Sequence, residues 1–103
     1  MAKKEKIKVL ASNEYADRES CSFCKVVEFE SIKKKFKIAN STGNCYCKSS
    51  IDVMLPTLEW ATVAVGFTFN APYINYMADA EIKKAKMEQI YQKAIDFITN
   101  VYC

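Results

Sequence analysis

"CSFCKVVEFESIKKKFKIANSTGNCYC", residues 21–47, is the stretch on which the reading of this chain turns. Val27 and Phe29 alternate with Glu28 and Glu30, and Phe36 and Ile38 alternate with Lys35 and Lys37. A period of two marks a half-buried strand, so the stretch predicts two antiparallel strands paired as a hairpin. Residues 40–44, NSTGN, form a turn cluster behind the second strand. Cysteines bracket the hairpin, as C-x2-C at Cys21 and Cys24 and as C-x-C at Cys45 and Cys47.

Two close cysteine pairs brought together by a hairpin supply the four soft ligands that a structural zinc ion takes. On this reading Cys21, Cys24, Cys45 and Cys47 hold one zinc per chain in a closed, non-catalytic site. An iron–sulfur cluster would accept the same four thiolates. Inert thiols buried as small hydrophobes are the plain alternative. A redox pair at Cys21 and Cys24 would want the first cysteine at a helix start, whereas the residues after Cys24 read as strand. Cys103, at the end of the last helix, is read as incidental.

The charge is uneven. Residues 1–50 carry ten lysines and Arg18 against six acids, a net +5, whereas residues 51–103 carry four lysines against six acids, a net −2. Within the basic half, Lys33, Lys34, Lys35 and Lys37 surround Phe36. They are candidates for contact with nucleic acid or another acidic partner. Lysine lacks the bidentate fork of arginine, so such contact is expected to follow phosphates rather than bases. The competing reading is a solvated face, with Glu28 and Glu30 across the hairpin cancelling part of the field.

Outward from the hairpin, Lys6–Ala11 predicts a strand and residues 12–20 a polar loop. In residues 51–72 the side chains of Val63, Val65, Phe67 and Phe69 share one face, and Leu58, Trp60, Thr62 and Ala64 the other. Two apolar faces predict a central strand with Trp60 in the core. Pro72 opens a helix over residues 73–103, and Asp79 offers a second start. Its stripe runs Tyr73, Met77, Ala80, Lys84, Met87, Tyr91, Ala94, Ile98 and Val101, widened by Ile90, Phe97 and Tyr102. The stripe packs on the sheet, or serves as a homodimer seam. Tyr73, Tyr76, Met87 and Tyr91 are the candidate partner-binding residues on this segment.

Several function classes have no footing. The chain has no histidine, which removes histidine-based acid, base and triad chemistry. Its only glycines are Gly43 and Gly66, so it has no glycine-rich phosphate loop. The opening "MAKKEKIKVLASNEYADRE" lacks the apolar core of a leader, and no apolar run is long enough to span a membrane. A cytoplasmic location is expected by default.

The sequence thus predicts one α+β domain over residues 1–103, comprising a small antiparallel sheet with a cysteine-stapled hairpin packed against one long C-terminal helix. The expected function is that of a non-catalytic binding or regulatory protein contacting nucleic acid or nucleotide through its lysines. A protein-binding inhibitor or adaptor of phage or mobile-element type, acting through the helix, is the alternative. A thiol–disulfide oxidoreductase using Cys21 and Cys24 is the enzymatic one.

Overall fold

Alternation along the first two thirds of the chain produces a sheet, and the 3–4 spacing of the last third produces the helix that covers it. The computed structural model describes residues 6–103. The strands are β1 (Ile7–Ala16), β2 (Cys21–Phe29), β3 (Lys34–Gly43), β4 (Tyr46–Met54) and β5 (Trp60–Val65). They lie in the sheet in chain order and pair antiparallel throughout. A 3₁₀ turn, Gly66–Phe69, follows β5, and α1 (Ala80–Tyr102) packs over the sheet. The predicted α+β class, an antiparallel sheet against one long C-terminal helix, is the architecture observed.

The β2–β3 hairpin forms in the predicted phase, with Val27 opposite Phe36 and Glu28 opposite Lys35. The face that α1 covers carries Phe23, Val27 and Phe29 from β2, Phe36 and Ile38 from β3, and Ile51 and Val53 from β4. Met87, Ile90, Ala94 and Ile98 of α1 are buried against it. Phe36 stands edge-on to both Phe29 and Tyr102, with ring centroids 5.4 and 5.0 Å apart. Such edge contacts add to the burial of the rings. At the β3–β4 turn a Cβ on Gly43 would come within 2.8 Å of the Tyr46 ring, so a side chain there would require that exposed ring to swing aside.

Several expectations are corrected. β1 runs on to Ala16, because residues 12–16 pair with β2 rather than looping out. β5 is a short edge strand, not a central one, and Trp60 is only half-buried. The alternation through Phe67 and Phe69 belongs to the 3₁₀ turn, which buries Phe69 and leaves Phe67 86% exposed. The helix starts at Ala80 behind the N-cap Asp79, not at Tyr73, and residues 71–79 are irregular. Its buried stripe is set one residue earlier at its first turn, so that Lys83 is buried and Lys84 is exposed. Val101 is 58% exposed.

Lys83 explains how a lysine enters a core. Its Nζ donates to the main-chain oxygen of Asp17 at 2.7 Å, in the turn between β1 and β2. That turn is fixed in its own right, since Asp17 Oδ1 accepts from the N–H groups of Glu19 at 2.9 Å and Ser20 at 2.8 Å. The Tyr15 hydroxyl also donates to the Asp17 carboxylate. This bond first, and the two N–H groups next, hold the Asp17 carboxyl down at about 2.

Candidate functional site

Side chains of directly opposed strand residues share a face, and successive residues point to opposite faces. Register therefore sorts the candidate residues. Cys21, Thr42 and Cys47 stand in one row under α1, and Phe23, Asn40 and Ser49 in the next. Cys24 is three residues on from Cys21 in the same uninterrupted strand, so it points to the other side of the sheet. Cys45 is exposed in the β3–β4 turn. The four sulfurs of the proposed zinc site do not converge in this arrangement. Among the described residues no group of three or more His, Cys, Asp or Glu side chains is placed to hold a metal ion. A C-x2-C half-site needs a turn, and residues 21–24 are extended. The redox reading meets the same obstacle. Three residues of strand separate the two Cα atoms by roughly 10 Å, beyond the reach of a disulfide.

Cys21 and Cys47 instead belong to a closed polar cluster. Asn40 Nδ2 donates to Ser49 Oγ at 2.9 Å and to the Lys48 carbonyl at 3.0 Å, and Thr42 Oγ1 donates to Asn40 Oδ1 at 3.1 Å and approaches Cys47 Sγ at 3.4 Å. The Ile74 N–H donates to Cys47 Sγ at 3.4 Å. Among the described residues no buried side-chain nitrogen or oxygen lacks a partner, so the cluster is satisfied from within. Burial pushes the Cys21 thiol up, against the Thr42 hydrogen bond and the Lys83 charge, and a buried protonated thiol is a poor nucleophile.

Among the described residues no helix lies on the opposite face of the sheet. Register places Lys8, Glu28 and Lys35 in one row across it, then Val26, Lys37, Asp52 and Thr62. Further along come Asn13, Cys24, Ala39, Ser50 and Val65, and last Tyr15, Ser22, Ser41 and Lys48. None of these residues is buried. Lys37 Nζ lies 3.8 Å from Asp52 and 5.1 Å from the centre of the Trp60 ring. The lysines singled out in the sequence are thus divided. Lys35 and Lys37 lie on the open face, Lys34 opposes Phe29 on the helix side, and Lys33 occupies the hairpin turn with φ 53°. Lys48, which sequence reasoning did not select, joins the open face from β4.

Beyond β5 the chain forms a wall to this face. Segment 66–73, with β3, β4 and β5, encloses a groove of about 760 Å³. Its floor includes Ala39, Ser41 and Ser50, and its rim includes Phe67 and Tyr73. Tyr73 is 70% exposed. Of the other proposed partner residues, Tyr76 is half-buried beyond the groove, and Tyr91 is half-buried with Lys25 Nζ 4.4 Å from its ring centre. Met87 is 2% exposed in the core, so its side chain is engaged by the sheet. No described helix is long and apolar enough to cross a membrane. No family model, no curated protein and no solved structure matches the chain.

Proposed function

We propose that the chain is a non-catalytic binding protein that engages an acidic partner, a single-stranded nucleic acid, through the sheet face that the helix leaves uncovered. One observation carries this reading. Lys8, Lys35, Lys37 and Lys48 all belong to that face, and its two carboxylates, Glu28 and Asp52, each lie beside a lysine of an adjacent strand. Among the described residues of these strand rows, lysines outnumber carboxylates four to two, so the rows are cationic, and Lys48 stands farthest from either carboxylate along the strands. Lysines on a half-exposed sheet can track phosphates while leaving the bases to neighbouring side chains.

The test is binding of a labelled single-stranded oligonucleotide, followed by fluorescence anisotropy as salt is raised. Four phosphate contacts would give a log–log slope of about −2.8, an affinity loss of about fifty-fold between 50 and 200 mM salt. Lys35→Glu and Lys48→Glu are expected to weaken binding, whereas Lys34→Glu, on the helix side of the hairpin, should do so far less. No binding at low salt, or equal effects at Lys34 and Lys48, refutes the reading.

A further inference from the structure

The lining of the groove has a chemical character that the rest of the open face lacks. Among the described residues that line it, Lys48 is the one charged side chain, and neither aspartate nor glutamate is present. Phe67 and Tyr73, 86% and 70% exposed, present their rings at its rim. The rim segment is pinned on both sides of these rings. Phe69 is 4% exposed and Ile74 1%, so each anchors in the core. The Ala71 N–H donates to the Gly66 carbonyl at 2.9 Å, and Asn70 turns the chain with φ 55°, a left-handed conformation that asparagine tolerates. The Ile74 N–H is tied to Cys47 Sγ on β4. The two outward rings are thus held by inward neighbours, and little ordering is left for a ligand to impose.

Resting on the reading of the open face as a nucleic-acid surface, we propose that this groove seats one nucleotide unit, its base against Phe67 and Tyr73 and its phosphate at Lys48. Every base has a π-face, so stacking on exposed rings is indifferent to sequence. The short side chains of Ala39, Ser41 and Ser50 let a flat ring approach the sheet, and the two serine hydroxyls offer hydrogen bonds to its edge. A volume of about 760 Å³ lies within the range of small-molecule sites. One cation beside two rings matches one phosphate and one base, and an acidic peptide would leave the rings unused. The unit could belong to a strand or to a free mononucleotide, since the recognised chemistry is the same.

The experiment titrates wild type and Phe67→Ala/Tyr73→Ala with a labelled single-stranded oligonucleotide, with AMP, and with a glutamate-rich peptide of equal charge. Both substituted side chains are exposed, and circular dichroism checks that the fold is retained. The double variant is expected to weaken oligonucleotide binding about 5- to 150-fold while keeping its salt slope. Lys48→Glu should instead lower the slope by about 0.7, the share of one phosphate. Oligonucleotide binding that is unchanged in the double variant overturns the groove and leaves the cationic face standing. AMP binding that the double variant abolishes, with no oligonucleotide binding, supports the groove as a free-nucleotide site and overturns the nucleic-acid reading. Equal competition by the peptide, or no binding of any probe, overturns the groove.

Discussion

Ile98 and Val101 are three residues apart on α1, and the sequence stripe assigns both to the core, yet only Ile98 is buried. Replacing each with alanine separates sequence pattern from packing. Ile98 is 0% exposed among the core residues, so truncation removes buried methyl and methylene groups and leaves a cavity. Substitutions of this kind cost about 2–5 kcal/mol. Val101 is 58% exposed, and its truncation should change stability by less than about 0.5 kcal/mol. Alanine gains a few tenths of a kcal/mol in helix propensity at both sites, so the difference between the variants reports burial. For a chain of 103 residues each kcal/mol moves Tm by about 4–8 °C. A loss of about 3 kcal/mol at position 98 then lowers Tm by about 12–24 °C, a large part of a total stability of about 5–15 kcal/mol. Thermal and urea unfolding followed by circular dichroism read both variants. Equal midpoints for the two, or an Ile98→Ala protein that melts with the wild type, would show that α1 does not pack on the sheet by this face.

Three further outcomes are expected. Lys83→Ala should cost about 2–4 kcal/mol, from lost packing and an orphaned Asp17 carbonyl, whereas Lys84→Ala, exposed one residue on, should cost less than about 0.5; urea midpoints compare them. Asp17 is held below its ordinary value of 3.8 in the folded chain, so its contribution to stability is present above about pH 4 and is lost as pH falls towards about 2. An NMR titration of the Asp17 carboxyl, repeated in Tyr15→Phe, should show the low value rising when the tyrosine hydroxyl is removed. Oxidation should give no Cys21–Cys24 disulfide while β2 stays extended; native mass spectrometry reads the zinc content, and a zinc lost on Cys24→Ser would show that residues 21–24 leave β2.

The parts of the fold legible in the sequence were those where a local period decides a face. Val27, Phe29, Phe36 and Ile38 declared the hairpin because their polar neighbours alternate with them. The same period separates the cysteines by face, since Cys21 is in phase with Phe23, Val27 and Phe29 and Cys24 is out of phase. Reading C-x2-C as a motif set that phase aside. Residues 60–69 misled because alternation in sequence continues through Phe67 and Phe69 while the chain leaves the sheet after Val65. Gly66 was the local sign of that departure. The burial of Lys83 had no local sign, because its partner is a main-chain oxygen 66 residues away. The groove was illegible for the same reason, since β3, β4 and segment 66–73 meet only in the folded chain.

The meander has a consequence for the order in which this protein acquires its structure. Every strand pairs with the next one in the chain, so the sheet can zip as it emerges from synthesis, without waiting for distant segments. The cover for its apolar face comes from Met87 to Ile98, which are made after all the strands of the sheet. At about 5–20 residues per second, the interval between completing β5 and completing α1 is about 2–7 s. During that interval Phe29, Phe36, Ile38 and Ile51 form an unroofed nascent surface flanked by the unpaired edge of β1. The window for misassociation during synthesis is therefore set by the translation time of residues 66–102. Slow codons between residues 66 and 90 would lengthen it without changing a single side chain.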